Sequence, residues 1–304
     1  MALVRVDDYK FPGGWSESAQ STQRAHWCCE QLEASNVLLF PEIPFDLPPA
    51  DIEFLLSQTD IKDAERKNIK LGGSGNLSGV QQSESAERLQ DVMRNYSREV
   101  TQFLSRVLAP YSADWKLHEA TFRPEQEKGR DLKTLKRNDL LHTDAFKRHP
   151  TFGGRIMRCF TNINPHAPRV WNTTDAFPVL AEKYAQQAGL QKAAPTPIDK
   201  ISTLEKLRGK KSEQRSAYDS FMLSFHDFLK LNEDYQQRYP KEQLEFPPNA
   251  TWICFTDSVP HAAVSGQFAL EQTLIIPLRA MVSPERAPVR VLEKLAGRAL
   301  LPAS

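Results

Sequence analysis

The order of residue patterns constrains this chain most: strand-like segments come in two blocks, and a long helical stretch separates them. Apolar and polar residues alternate in Lys116–Arg123 (KLHEATFR) and in Arg155–Asn164 (RIMRCFTNIN). Alternation marks strands because successive side chains point to opposite faces. Strand texture returns at Ala250–Asp257 (ATWICFTD) and Gln267–Leu278. From Thr174 to about Tyr239 the pattern is helical, broken by charged residues near Lys206–Arg215. A jelly roll suits this order, because its two sheets are assembled from strands distant in sequence. The expectation is an α+β chain with a double-stranded β-helix (jelly-roll) core, N-terminal helices and a helical insertion between core strands.

The 304 residues are read as a single domain. Residues 1–114 form its mainly helical N-terminal part, 115–170 and 245–280 the core, 171–244 the insertion, and 281–304 a tail helix. Within the first part, helices are expected over 21–35, 49–57 and 85–108, with a short apolar strand at Asn36–Pro41 (NVLLFP). Met1–Gln20 reads as irregular. The segment 71–79 (LGGSGNLSG) lacks the Lys-Ser/Thr ending of a phosphate-cradling loop and reads as a flexible loop and candidate lid.

Charge narrows the function classes. The formal net charge is +1, and no dense basic stripe runs along the chain, which argues against a nucleic-acid partner. Two local basic stretches remain, Lys128–Arg137 (KGRDLKTLKR) and Lys206–Arg215 (KLRGKKSEQR). The four cysteines, Cys28, Cys29, Cys159 and Cys254, include an adjacent pair and no CxxC spacing, so they read as reduced thiols of a cytoplasmic chain. No stretch approaches the roughly 20 apolar residues of a membrane span, and Met1–Gln20 lacks the apolar core of a signal peptide. Any membrane contact is therefore expected to be peripheral.

The chemistry-bearing residues are split between the two blocks. In an extended strand, His142 and Asp144 of Leu140-Leu141-His142-Thr143-Asp144 point to the same side, so one imidazole and one carboxylate can reach a single ion. A third ligand must come from elsewhere. His261, just ahead of the Ser265-Gly266 turn and a strand, is the best candidate. Two histidines and a carboxylate leave three positions open, the arrangement of non-heme iron(II) oxygenases. His26 and His226 fall on helix faces, His149 and His166 beside prolines, and His118 on a strand that could line the barrel. No GxSxG elbow is present, so a hydrolase has no support.

Three longer stretches carry a family resemblance: Leu-Leu-His142-Thr-Asp144, the run from Arg155 through FTNINP, and the run from Trp252 through FTDSVPHA. With them the chain resembles the Kdo 3-hydroxylases. These bacterial iron(II)/2-oxoglutarate dioxygenases act on 3-deoxy-D-manno-oct-2-ulosonic acid (Kdo) in the inner core of lipopolysaccharide. The resemblance implies iron(II), 2-oxoglutarate and dioxygen as cofactors, with His142, Asp144 and His261 as metal ligands. It implies a Kdo-containing glycolipid as partner and a place in the cytoplasm, with peripheral contact at the inner membrane.

2-Oxoglutarate needs a cation for its distal carboxylate, and a guanidinium offers a planar two-toothed match. Ile156, Arg158, Phe160, Asn162 and Asn164 share one strand face, which makes Arg158 the first choice and Asn162 a companion. Arg123 is the second choice, and the family pattern supports both. Many relatives carry an arginine about ten residues after the distal histidine. Here that place reads Glu271-Gln272-Thr273, and the first arginine is Arg279, so Gln272 or Thr273 would only assist. A basic rim is expected from Arg130–Arg137. Two alternatives stay open: an oxygenase of the same chemistry acting on another lipid or small molecule, and a metal-free jelly-roll module that binds a glycolipid.

Overall fold

Strands from the two blocks interleave. In the computed structural model, which describes residues 1–304 except 16–17, 59–67, 81–83, 199–212 and 303–304, the centre of the large sheet alternates between them. Its first-block strands are β5 (Lys116–Arg123) and β6 (Arg155–Asn162), and its second-block strands are β11 (Thr251–Phe255) and β13 (Ala269–Ile276). They lie in the order β11-β6-β13-β5, all antiparallel. β6 stops two residues short of the expected end because Asn162 turns the chain: its Oδ1 accepts from the Asn164 backbone N–H at 3.1 Å.

The N-terminal third supplies the edges of this sheet. β1 (Leu3–Arg5) runs parallel to β2 (Val37–Phe40), which pairs with β11. On the far side, β3 (Ile69–Leu71) and β4 (Leu77–Ser78) form a hairpin that pairs with β5. The glycine-rich segment is thus an edge hairpin, which corrects its reading as a loose lid. Helix side chains hold its tip: Gln90 Nε2 donates to the Gly75 carbonyl at 2.6 Å and Arg94 Nη2 at 3.3 Å. Gly79 closes it with φ +91°, and a Cβ there would lie 2.7 Å from the Asn68 carbonyl. Strands of two or three residues carry too little alternation to be read from sequence.

Helix α1 (Ser18–Glu33) and, after the short α2 (Pro49–Leu56), helix α3 (Glu84–Val107) cover the outer face of the large sheet. α3 does so because Leu89, Val92, Met93, Tyr96, Val100, Phe103, Leu104 and Val107 recur at helical spacing and are all buried. The small sheet, β10 (Glu242–Phe246), β7 (Arg169–Thr173) and β12 (His261–Ser265), in the order β10-β7-β12, closes the inner face. Aromatic rings fill one end of the space between the sheets. Trp252 stacks on Phe246 at 4.0 Å and on Phe160 at 5.2 Å, and Trp171 meets all three edge-on. The other end is polar and open.

β7 runs through Thr173, so the helical excursion begins later than 171, with α4 (Phe177–Tyr184). It continues through the two-residue strands β8 (Thr196–Pro197) and β9 (Gln214–Arg215), which pair antiparallel, into α5 (Ala217–Leu231) and α6 (Glu233–Arg238), while α7 (Pro288–Ala296) is the tail helix. Of the basic stretch Lys206–Arg215, residues 206–212 lie outside the described residues. All four cysteines are free and buried, and no helix among the described residues is long and apolar enough to cross a membrane.

One buried ion pair ties the two blocks together. Arg155 Nε lies 2.9 Å from Asp257 Oδ2, Arg155 Nη2 donates to Ser258 Oγ at 2.6 Å, and the guanidinium sits 4.0 Å over the Phe255 ring. Both side chains are almost wholly inaccessible. Asp257→Ala should therefore destabilise the fold by about 3–5 kcal/mol, because it strands a buried cation. Urea unfolding measures this, and a loss below about 1 kcal/mol would show that water or a neighbour replaces the carboxylate.

Candidate active site

His142, Asp144 and His261 meet at the open end, with one potential ligand atom from each lying within 4.8 Å of the others. Backbone pairing brings them there. His142 N–H donates to the His261 carbonyl at 3.2 Å, His261 N–H returns to the His142 carbonyl at 3.0 Å, and Asp144 N–H reaches the Thr256 carbonyl at 2.8 Å. The expected HxD strand is thus one isolated bridge rather than a ladder, yet it still sends His142 and Asp144 to one side.

The imidazole tautomers follow from their partners. His142 Nδ1 lies 2.7 Å from the Leu140 carbonyl and His261 Nδ1 2.9 Å from the Val259 carbonyl. A carbonyl oxygen only accepts, so each Nδ1 carries the hydrogen and each Nε2 keeps its lone pair for a metal. Trp171 lies nearly flat against His261 at 4.9 Å, and His226 meets the His142 ring edge-on at 5.1 Å, which fixes both planes. Two neutral imidazoles and an ionised carboxylate form a donor set suited to iron(II).

Electrostatics keeps those ionisation states. Burial holds the His142 and His261 imidazoles below the ordinary histidine range. Burial pushes the Asp144 carboxyl up, but Arg158 outweighs it and holds the group well below the usual carboxylate range. A depressed imidazole pKa means that protons compete with metal only below the ordinary histidine value near 6.5, not at neutrality. Cobalt(II) loading at pH 7 should therefore release no imidazole proton. Calorimetry in two buffers of different ionisation enthalpy should give equal heats, and a difference matching about one proton per metal would refute it.

These three candidate ligands open into a cavity of about 400 Å³. Arg123, Arg158 and Arg169 line it. Arg158 Nε lies 2.9 Å from Asp144 Oδ2, and its Nη1 binds Glu271. Arg123 donates to Glu271 Oε2 from Nε at 2.9 Å and from Nη2. Burial raises the Glu271 carboxyl, but Arg123 and then Arg158 outweigh it and bring it to about 2. Arg169 pairs with Glu127 at 3.0 Å. Gly266, at φ +122°, lets it lie there, since a Cβ would come within 2.7 Å of Arg169 Cγ.

Two expected cosubstrate residues lie elsewhere. Asn162 is fully buried at the strand end, and its Nδ2 donates to the Ala167, Phe246 and Pro247 carbonyls at 3.0, 3.0 and 3.2 Å. That amide shapes a turn and is not among the cavity-lining groups. Gln272 points to the opposite side of β13, where its Oε1 accepts from Ser97 of α3 at 2.8 Å. Thr273, one residue on, faces Glu271 and donates to it at 3.1 Å. Arg279 pairs with Asp114 on the surface.

The basic rim also differs from expectation. None of Lys128–Arg137 lines the cavity, and Arg137 is held by Asp139 at 2.6 Å. Lys70, Lys147, Arg148 and His149 line it instead, with His118. Lys147 to His149 lie within five residues of Asp144, a proximity the sequence reading did not use. Arg169 was missed too, although Arg169, Trp171 and Thr173 alternate on one strand face.

Comparison with known proteins places this geometry. A family model described as 3-deoxy-D-manno-oct-2-ulosonic acid (Kdo) hydroxylase matches residues 14–299. The chain is similar to solved structures of the Kdo hydroxylase KdoO, a non-heme Fe(II) alpha-ketoglutarate-dependent dioxygenase, at 31% identity over 99% of this chain and 98% of that one. The TM-scores are 0.81 for the complex with alpha-ketoglutarate and Fe(III), 0.82 for that with cobalt(II), and 0.80 for the apo form. A search of curated proteins gave no match.

Proposed function

The chain belongs to the Kdo hydroxylase family, and on that premise we propose that it hydroxylates carbon 3 of Kdo in a lipopolysaccharide precursor. It is an iron(II)- and 2-oxoglutarate-dependent dioxygenase. The observation that carries the reading is the His142–Asp144–His261 cluster at the foot of a cavity walled by arginines.

Iron, cosubstrate and dioxygen together supply the oxidation of a C–H bond to an alcohol, with 2-oxoglutarate becoming succinate and carbon dioxide. The chain's own residues supply geometry. His142 and His261 would present their Nε2 atoms and Asp144 a carboxylate oxygen to the metal. Arg158, with Arg123, would take the distal carboxylate of 2-oxoglutarate, while Glu271 holds both guanidiniums in place. Trp171 would keep the His261 ring from turning.

The acceptor would be a Kdo-containing glycolipid, reached by peripheral contact at the cytoplasmic face of the inner membrane. Mass spectrometry of lipopolysaccharide from cells with and without this protein tests the reading. One added oxygen on a Kdo unit is expected. An identical sugar core, despite 2-oxoglutarate turnover by the purified protein, would refute the substrate and leave the chemistry.

A further inference from the structure

We propose that the outer end of the cavity, where His118, His149, Lys147 and Arg148 meet, is the subsite that receives the carboxylate of the sugar-acid acceptor. The inference rests on the hydroxylase reading above and adds to it where the acceptor's charge is bound.

The cavity has two electrical ends. At its deep end every guanidinium already faces a carboxylate: Arg123 and Arg158 share Glu271, and Arg169 has Glu127. At its outer end Lys147 and Arg148 are exposed and form no ion pair with any described residue. No acid occurs from Ala145 to Phe152 (AFKRHPTF), so the loop offers cations without internal compensation. Lys70 lines the same wall but is committed to Glu119 at 2.5 Å. With Arg158 and Arg123 assigned to 2-oxoglutarate and Arg169 held by Glu127, the outer cations remain for the anionic group of the acceptor.

His118 gives this end a fixed polar ring with an unpaired nitrogen. Its ring is stacked on Phe146 at 5.0 Å and met edge-on by His149 at 5.1 Å. Its Nδ1 is shielded from solvent and has no hydrogen-bond partner among the described residues. Buried polar atoms are nearly always paired, so an unpaired ring nitrogen at a cavity wall marks a place for a ligand atom. Burial lowers the pKa of this imidazole, so at pH 7 it is neutral, with one ring nitrogen able to donate and the other to accept.

The loop is also held still. The Lys147 carbonyl accepts from Arg215 Nη2, and the Thr151 and Phe152 N–H groups donate to Asp219 at 2.7 and 3.2 Å. Anchored on both sides, it keeps the cations at the mouth. Carbon 3 of a 2-keto-3-deoxy sugar acid is two bonds from the carboxylate carbon. A carboxylate group must therefore be bound in the same chamber as the metal ligands, which is where these residues stand.

The test titrates free Kdo and its neutral methyl ester into protein loaded with cobalt(II) and 2-oxoglutarate, read by calorimetry. The parent protein should favour the acid by about tenfold or more, as expected when one charge-assisted contact is present in one ligand alone. His118→Gln and Arg148→Gln should each lower affinity for the acid, and should leave the ester's nearly unchanged, so that the preference shrinks. The cobalt(II) absorption spectrum reports whether each variant has formed its metal site. Should His118→Gln fail to form it, the exposed double variant Lys147→Gln/Arg148→Gln decides alone. A parent protein that binds acid and ester equally overturns the subsite, as does a preference that survives in the variants. If the subsite fails while lipopolysaccharide still gains its oxygen, only this inference falls.

Discussion

His142→Ala, Asp144→Ala and His261→Ala each abolish iron-dependent conversion of 2-oxoglutarate to succinate. The three potential ligand atoms lie within 4.8 Å of one another, and no other group of three His, Cys, Asp or Glu among the described residues converges in this way. Loss of a supporting partner of a ligand typically costs 10–100-fold in metal affinity or activity, so loss of a ligand should cost more. Asp144→Ala has a further cost, because Arg158 then keeps Glu271 alone as counter-charge. The measurement is succinate release at matched iron loading, with metal content determined separately. Near-normal turnover in any one variant removes that residue from the ligand set.

Arg158→Ala raises the 2-oxoglutarate requirement steeply while the fold persists. Removing one partner of a buried, charge-assisted contact costs roughly 2–5 kcal/mol, which corresponds to about 30-fold to several thousand-fold in affinity. The structure adds a condition to the measurement. Because Arg158 also lies against Asp144, 2-oxoglutarate binding must be compared at equal metal occupancy. Equilibrium titration of cobalt(II)-loaded protein serves. An unchanged dissociation constant would transfer the role to Arg123 or to Arg169, which line the same wall.

Residues whose side chains obey a local rule were legible in advance. The i, i+2 spacing put His142 and Asp144 on one side although the strand around them shrank to a single bridge. Alternation placed β5 at its observed bounds and put Arg158 and Phe160 on the cavity face of β6. The same rule failed at Asn162, which shares their parity but sits where the strand ends and three carbonyls close over it. It failed differently at Gln272 and Thr273. Every residue of β13 but Ile275 is buried, so no polar face showed which side looks into the cavity.

The sequence by itself determined the strand and helix textures, their interrupted order, the His142, Asp144 and His261 candidates that the fold brings together, and the family. These depend on spacing along one chain and on residue type. Only the tertiary structure decided which further cations join Arg123 and Arg158 at the cavity. Lys128–Arg137 lies close to His142 in sequence yet lines none of it, whereas Lys70 and Arg169 come from strands in different sheets. The physical reason is that charge acts through space. The neighbours that compensate Arg123, Arg158 and Arg169, and the lack of any that compensate Lys147 and Arg148 among the described residues, arise only when distant strands and loops are brought together.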